Sequence, residues 1–146
     1  MHVEILSAPF VPYRYLADYE AQHSELTGKF GATANFVGTM RDFNENAEVM
    51  SMVLEHYPEM TIRHLQTICA RAEERWELLD IVVVHRIGEL YPGDPIVLVA
   101  VWSAHRKDAF EACRFIMEDL KSEAPFWKKE TLPRGERWVE KNTPGY

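Results

Sequence analysis

The C-terminal third of the chain carries the clearest helical pattern. From Ser103 to Glu130, apolar residues recur at the spacing of one amphipathic helix that stops at Pro125, with cations at its two ends and just beyond. Arg106 projects from the apolar arc and Lys121 from its edge, so both are expected to face packed structure. A lysine held partly away from water favours its neutral, nucleophilic form. The residues predicted to be buried on this arc are Ala109, Phe110, Cys113, Ile116, Met117 and Leu120.

The rest of the pattern predicts a mixture of strands and helices. Val49–Tyr57 is apolar on both faces, which indicates a strand in the interior of a sheet. Gly38–Ala47 is polar and rich in turn-forming residues, which predicts a loop. Further strands are predicted at His2–Leu6, Ala32–Val37, Ile81–Ile87, Ile96–Trp102, within Pro125–Glu130 and at the end of Pro133–Glu140, and further helices at Tyr13–Gln22 and Thr61–Trp76.

Three lysines near the end of the chain are candidates for chemistry. Lys121 lies on the predicted helix, whereas Lys128 and Lys129 lie on the extended segment that follows it. Side chains from two separate elements can converge on one pocket. The alternative is that all three are ordinary solvated lysines, as most lysines are.

Other cations suit an anionic ligand. His105 and Arg106 lie where the helix begins, after a plausible cap at Ser103, and the free N–H groups and positive dipole of a helix start suit a phosphate. Arg41 is the only cation of the predicted loop and could close over the same ligand, although a loop arginine is more often simply solvated.

Distance constrains how these cations can work together. Arg106 and Lys121 lie about 22 Å apart along a straight helix, at about 1.5 Å per residue. One small ligand cannot contact both from the same copy of the helix. Either the two ends serve different sites, or a two-fold dimer brings the Arg106 end of one subunit near the Lys121 end of its mate, which is the arrangement we favour.

Composition narrows the classes of function. The 146 residues fit a single domain, 1–146, with 47% hydrophobic residues and no long apolar run, so neither a signal peptide nor a membrane span is expected and the default location is the cytoplasm. A net charge of -7 argues against general nucleic-acid binding. Cys69 and Cys113 fall on apolar helix positions and are expected to be buried thiols. Histidine and glycine spacing supports neither a zinc site nor a dinucleotide or P-loop site.

Several uncommon strings together closely resemble one family, the large, catalytic subunit of molybdopterin synthase. The match runs from about Gly31 to Glu140, with order and spacing kept, and is less distinct over 1–30; 141–146 is expected to be a frayed tail. The strings that carry it are Leu54–Met60, His85–Asp94, Ser103–Arg106, Phe110–Ala112 and Leu120–Glu130.

The resemblance implies a fold, an activity and partners. The fold would be α+β of the α/β-hammerhead type, a single domain with a mixed or antiparallel sheet and two main helices. The chain would form a homodimer, and each subunit would bind a small ubiquitin-like sulfur carrier, giving a heterotetramer. The C-terminal Gly-Gly thiocarboxylate of the carrier would donate sulfur to cyclic pyranopterin monophosphate and form the dithiolene of molybdopterin, with no cofactor, metal, nucleic acid or membrane required.

The resemblance also assigns site residues. Arg41, His105 and Arg106 would hold the substrate phosphate, since two guanidiniums and a helix start make a strong anion clamp. Lys121 and Lys128 would stabilise an oxyanion, move protons or hold a covalent intermediate, three roles that the sequence does not rank. Thr39 stands where some family members have lysine, which argues against a phosphate contact from its side chain and leaves a backbone contact open. The full set of family positions is Thr39, Met40, Arg41, His105, Arg106, Lys121, Lys128, Lys129 and Glu130.

Two other interpretations remain open at this point. The chain could be a non-catalytic dimeric module that binds a phosphorylated metabolite through Arg41, His105 and Arg106. It could instead be a structural adaptor that docks a small partner on a sheet edge or an apolar patch. His85 and Arg86 lie within a predicted strand and are interpreted as structural.

Overall fold

The computed structural model describes residues 1–44, 47–123 and 126–139. Within them the chain forms ten strands, three α-helices and a short 3-10 helix at Ser24–Leu26. The helices are α1 (Pro12–Gln22), α2 (Pro58–Arg75) and α3 (Arg106–Glu123). The strands are β1 (His2–Leu6), β2 (Ala32–Thr39), β3 (Phe43–Asn44), β4 (Ala47–Glu48), β5 (Ser51–His56), β6 (Asp80–Arg86), β7 (Gly88–Leu90), β8 (Pro95–Ser103), β9 (Phe126–Leu132) and β10 (Gly135–Trp138).

The first sheet is buried on both faces. Its strand order is β1-β6-β8-β2, with β1 parallel to β6 and the other pairs antiparallel. Val83 and Val99 point to the face covered by α2 and α3, whereas their neighbours Val84 and Leu98 point to the face covered by α1 and the 3-10 helix. Because both faces are covered, β6 and β8 are apolar at nearly every position instead of alternating with polar residues.

The second sheet is antiparallel and has the order β10-β9-β5-β7. Strand β5 lies between β9 and β7, which confirms that the segment apolar on both faces is interior to a sheet. Its own small core contains Met40, Met52, Leu54 and Leu90. Strands β3 and β4 form a separate two-stranded ribbon within the segment predicted to be a loop.

The predicted elements are found close to their predicted bounds. Helices α1 and α2 each have a proline at the first turn, at Pro12 and Pro58, where the missing N–H costs no helical hydrogen bond. Helix α2 therefore begins three residues before the predicted Thr61. The predicted stop of the third helix at Pro125 lies outside the described residues, and so does the tail 141–146. The described α+β architecture agrees with the predicted fold class.

Two predictions about the face of α3 were wrong. Phe110 was expected to be buried, but 67% of its surface is exposed. Arg106 was expected to face packed structure and is also exposed. Arg106 lies in the first turn of α3, before the buried positions begin at Ala109. Phe110 lies beside the buried stripe of Ala109, Ala112 and Cys113 and lines a pocket instead.

A close contact fixes the start of α3. Gly31 donates from its backbone N–H to the Ser103 carbonyl oxygen at 3.0 Å, and a Cβ placed on Gly31 would lie 2.3 Å from the Ala104 carbonyl oxygen. Only glycine permits this approach. The Ser103 hydroxyl oxygen accepts from the His105 N–H at 3.4 Å and donates to the Glu77 carbonyl oxygen at 2.9 Å. The segment that carries His105 and Arg106 is therefore held firmly to β2.

Among the described residues, no helix is both long and apolar enough to cross a membrane.

Candidate active site

A large pocket lies where α3 and the first sheet meet the second sheet. It has a volume of about 750 Å³, large enough for a small organic ligand. Strand β2 and helix α3 form its long sides, and β5, β6, β8 and β9 each add one or two residues. The polar and charged side chains that line it are Asn35, Thr39, Arg41, His85, Arg114, Glu118, Lys121 and Lys128.

Lys121 and Lys128 reach this pocket from different elements. Lys121 lies in the last turn of α3 and Lys128 lies in β9, opposite Leu54 of β5. Burial, followed by the charge of Lys121 and a hydrogen bond with its side chain, lowers the pKa of Lys128 from 10.5 to about 8. The Glu130 carboxylate opposes this shift only weakly. The predicted convergence of a helix lysine and a strand lysine is therefore present within one chain.

His85 is a pocket residue that the sequence interpretation missed. It was interpreted as structural, but it lines the pocket and is only 5% exposed. Its ring stacks on Phe126 with the centroids 3.9 Å apart and the planes 13° from parallel. Desolvation, together with the charges of Lys121 and Lys128, lowers the pKa of His85 to about 3, so the ring is neutral. A histidine directly after the four apolar residues 81–84 of a buried strand was the available signal.

The predicted loop residues separate into two environments. Arg41 and Thr39 line the pocket beside the end of β2, and Arg41 is exposed. Met40 lies between them but is buried in the core of the second sheet. Its backbone N–H donates to the Asp94 carbonyl oxygen and its carbonyl oxygen accepts from the Gly93 N–H, each at 2.9 Å. Met40 thus anchors the segment that presents its two neighbours to the pocket.

The family positions Lys129 and Glu130 lie outside the pocket lining. The Lys129 ammonium is 2.7 Å from a Glu136 carboxylate oxygen on the neighbouring strand β10. Glu130 is 4% exposed, and its carboxylate accepts from Arg137 Nε at 2.8 Å and from the Asn44 side-chain amide at 3.0 Å. These three contacts join β9 to β10 and β3, so within one chain these two residues support the strand that carries Lys128.

His105 and Arg106 also lie away from this pocket. They are exposed at the opposite end of α3 from Lys121, about 22 Å along the helix at about 1.5 Å per residue. The structure therefore groups Arg41, Lys121 and Lys128 in one chain and leaves His105 and Arg106 at a separate surface.

The cysteines are buried thiols, as predicted. Cys69 is fully buried, and Cys113 is buried in the wall of the pocket with its thiol 3.9 Å from the Val99 carbonyl oxygen. Burial raises the pKa of the Cys113 thiol to about 11 and that of Cys69 to about 12. Neither thiol is ionised near neutral pH, so neither is an activated nucleophile.

Comparison with known proteins agrees with this architecture. The chain is 50% identical over 140 residues to the molybdopterin synthase catalytic subunit of Pseudomonas aeruginosa, covering 96% of this chain and 91% of the relative. A solved MoaE protein from Burkholderia ambifaria superposes with a TM-score of 0.80 at 46% identity, covering 98% of this chain and 92% of that one. A molybdopterin synthase structure from Staphylococcus aureus superposes with a TM-score of 0.82 at 32% identity, covering 93% of this chain and 95% of that one.

A sequence model of one family also matches most of the chain. The matched residues are 13–123, which include β2, the pocket-lining face of α3 and the strand that carries His85. Lys128 lies just beyond the matched range, and the Pseudomonas relative extends the similarity over nearly the whole length. On these grounds the chain belongs to the MoaE protein family.

Proposed function

We propose that this chain is the catalytic subunit of a molybdopterin synthase. It transfers sulfur from the C-terminal thiocarboxylate of a small ubiquitin-like carrier subunit to cyclic pyranopterin monophosphate, and the product is molybdopterin with its dithiolene. The observation that carries this proposal is the convergence of Lys121 and Lys128 on one pocket that Arg41 also lines. A pocket with this charge suits a phosphorylated substrate and an anionic sulfur donor.

The lysine pair supplies the reactive groups. The pKa of Lys128 near 8 makes a neutral amine accessible close to physiological pH, while a second amine remains beside it. A neutral amine can take a proton or attack a carbonyl carbon, and an ammonium can stabilise an oxyanion. Because the sulfur arrives on the carrier, the reaction needs no thiol from this subunit, which agrees with the raised pKa values of Cys69 and Cys113.

The substrate phosphate is held by cations from two subunits in this proposal. Arg41 acts from the same chain as the lysines, and His105 and Arg106 act from a second copy, because α3 is too long for one copy to bring both ends to one ligand. Phe110 and Phe36 are 67% and 42% exposed beside the pocket, and the outer edge of β2 has no strand partner among the described residues. An apolar rim beside an open strand edge favours a dimer contact here.

The carrier completes the assembly. We propose one carrier on each subunit of the homodimer, giving a heterotetramer, with the extended carrier tail entering the open pocket so that its thiocarboxylate lies near Lys121 and Lys128. The reaction takes place in the cytoplasm in this proposal, and the two free, buried cysteines are usual for proteins of a reducing compartment.

A turnover assay with the purified chain, thiocarboxylated carrier and pyranopterin precursor tests this function. The wild-type chain is expected to form molybdopterin, and Lys121→Ala is expected to lose about 100-fold or more in turnover while still binding the carrier. Lys29→Ala is the matched control, since Lys29 is exposed and lies outside the pocket. A chain that binds precursor and carrier without forming product, or a Lys121→Ala variant with normal turnover, would instead support the non-catalytic binding module.

A further inference from the structure

Asn44 is held at two points by an arginine–glutamate pair. Arg137 Nε donates to one Glu130 carboxylate oxygen at 2.8 Å, and Arg137 Nη2 donates to the Asn44 carbonyl oxygen at 2.6 Å. The side-chain amide of Asn44 donates to the second Glu130 oxygen at 3.0 Å. The three hydrogen bonds form a closed triangle. Asn44, Glu130 and Arg137 are together named the Asn44 clamp.

The chemistry of the clamp makes it specific for arginine. The Glu130 carboxylate is buried, so its charge needs partners, and the clamp uses both of its oxygens. A guanidinium has a planar fork of N–H groups, which lets the one side chain of Arg137 serve two acceptors at once. A lysine at this position could pair with Glu130 but would lack that fork.

The clamp lies on the same face of the second sheet as Lys128. Glu130 and Arg137 are directly opposite each other on β9 and β10. Lys128 and Glu130 are two residues apart on β9, so their side chains project from the same face. Their partners on β5 are Leu54 and Met52, which belong to the smaller core. The clamp therefore ties Asn44 to the strand that carries Lys128.

The other side of the clamp is the segment that carries Arg41, residues 40–44, which is named the Arg41 segment. Its first residue, Met40, is bonded to the turn before β8 through two backbone hydrogen bonds. Its last residue, Asn44, is about 10 Å of extended chain from Arg41, at about 3.3 Å per residue. Strand β3 pairs with β4 through two residues on each side, and so short a ribbon is marginal by itself. The clamp thus gives the segment a second anchor.

A fixed backbone matters for Arg41 because its side chain is long and exposed. An exposed arginine loses conformational freedom when it binds a ligand, and a mobile backbone adds to that loss. Anchoring both ends of the Arg41 segment removes the backbone part of this cost before a ligand arrives. Arg41 lines the pocket with Lys121 and Lys128, so the anchors also limit how far its guanidinium can move relative to the two amines.

The alternative is that the clamp only joins β9 to β10. The Glu130–Arg137 pair would do that alone, and the Lys129–Glu136 ion pair joins the same two strands at 2.7 Å. The two hydrogen bonds to Asn44 add nothing to that hairpin, because they reach a different part of the chain. These two bonds are the feature that indicates a positioning role.

Building on the proposed function, we propose that Arg137 and Asn44 are positioning residues: the clamp fixes the Arg41 segment against β9, so that Arg41 faces the substrate phosphate while Lys128 faces the reacting group. Neither Arg137 nor Asn44 touches the substrate, and both act through Arg41. Arg137 is the central member, since its guanidinium bonds both of the others.

The first test is amide hydrogen exchange on the free chain, which needs no substrate. The Val49 N–H donates to the Asp42 carbonyl oxygen of the Arg41 segment at 2.8 Å. In Arg137→Lys, which keeps a cation but removes the fork, exchange at Val49 is expected to be about 10-fold faster or more. Exchange at Met40, whose N–H is bonded to the Asp94 carbonyl oxygen, is expected to change by less than about 2-fold.

Two further variants keep this test decisive. Asn44→Ala removes one uncharged amide, leaves the Glu130–Arg137 pair in place and is expected to speed exchange at Val49 as well. Glu136→Gln weakens the exposed ion pair between β9 and β10 and is the matched control, with no change expected at Val49. Unchanged exchange at Val49 in Arg137→Lys, or an equal increase in Glu136→Gln, would overturn the proposal.

The second test is a double-mutant cycle in the turnover assay. Arg137→Lys is expected to raise KM for the precursor by about 5-fold or more with little change in kcat, since binding is weakened and the lysines are untouched. In an Arg41→Ala background the same substitution is expected to change KM by less than about 2-fold, because Arg137 acts through Arg41. Equal factors in the two backgrounds would show that Arg137 acts independently of Arg41 and would reject the positioning role.

The two tests separate this inference from the proposed function. If the wild-type chain forms no molybdopterin, the proposed function fails, and hydrogen exchange still decides whether the clamp holds the Arg41 segment. If turnover is normal but neither exchange nor KM responds to Arg137→Lys, the positioning role fails alone.

Discussion

Lys128 and Lys129 are neighbours in the chain, yet β9 turns their side chains to opposite faces. Lys128 lines the pocket beside Lys121, whereas the Lys129 ammonium pairs with Glu136 at 2.7 Å and lies 5.8 Å from the centre of the Trp138 ring. This is the alternation of side chains along any β-strand.

The pair provides a matched comparison. Lys128→Ala is expected to lower kcat by about 100-fold or more because it removes a reactive amine, whereas Lys129→Ala is expected to have a much smaller effect because it removes an exposed ion pair. Turnover of both variants is measured with the same carrier and precursor, and circular dichroism checks that both are folded. Equal losses in the two variants would contradict the separation of the two faces.

The pH dependence of turnover follows from the lowered pKa of Lys128. Burial and the neighbouring Lys121 lower this pKa to about 8, so the neutral amine becomes populated as the pH rises towards 8. If that amine is the base or nucleophile, kcat rises with pH with a midpoint near 8. Lys128→Arg, whose guanidinium stays charged, is expected to be nearly inactive and to lack this inflection. A rate that falls through pH 8 would indicate that the Lys128 ammonium is the active form.

The free energy of unfolding should reflect the desolvation cost of the partly buried Lys128 ammonium. The pKa of Lys128 is about 8 in the folded chain and 10.5 for an unperturbed lysine, so below pH 8 both states are charged and the folded state carries the desolvation cost. Between pH 8 and 10.5 the folded state loses its proton and the cost disappears. Lys128→Met is therefore expected to raise the free energy of unfolding by about 1–3 kcal/mol at pH 7.

Denaturant titrations of wild type and Lys128→Met at several pH values measure this difference. It should shrink as the pH rises from 8 to 10.5. Lys29→Met is the control, since Lys29 is exposed and its substitution should leave the pH dependence of unfolding unchanged. A difference that stays constant with pH would mean that the Lys128 ammonium is not desolvated.

Mixing two inactive variants tests whether sites are shared between subunits. Arg106→Ala and Lys121→Ala are each expected to be strongly impaired, but a mixed dimer has one site with both residues intact. With random subunit exchange, about one quarter of the wild-type turnover should return. If the mixture stays as inactive as its parts, Arg106 and Lys121 do not act at one site across a dimer.

The contact between Gly31 and Ala104 predicts an effect on the start of α3. Gly31→Ala places a Cβ 2.3 Å from the Ala104 carbonyl oxygen, so backbone must move and the segment bearing His105 and Arg106 is displaced. We expect a lower free energy of unfolding and a raised KM for the precursor. Gly28→Ala is the control, since its Cβ meets nothing and only its backbone at φ 79° is strained. Its cost is expected to be about 1 kcal/mol, with KM unchanged.

Local patterns predicted most of the fold because the strands of the first sheet and the helices that cover it have clear hydrophobic patterns. The apolar strands β6 and β8 and the helical spacing of α2 and α3 are local signals. The exposure of Phe110 and Arg106 was not predictable, because a helical wheel gives a direction but neither the width of the buried face nor the point at which the helix meets the sheet. The β3–β4 ribbon was missed because its strands have only two residues each.

Local patterns also predicted part of the site. The convergence of Lys121 and Lys128 followed from their placement on consecutive elements that reverse direction. The position of His85 in the pocket could not be predicted in this way, because it depends on the packing of β6 beneath β9. This packing brings its ring under Phe126 and beside the lysines. The placement of Glu130 between Asn44 and Arg137 likewise depends on a contact 86 residues away in the chain.

The packing of the two sheets against each other sets the geometry of the pocket. Lys121 lies on a helix that packs against the first sheet, whereas Lys128 lies in the second sheet. The distance between their amines therefore depends on how the two sheets pack together. Trimming Leu90, which lies in the smaller core and outside the pocket lining, would change how the second sheet packs and so change the environment of the amines without removing a pocket-lining side chain. The reactivity of the pocket therefore depends on packing in the smaller core as well as on the residues that line it.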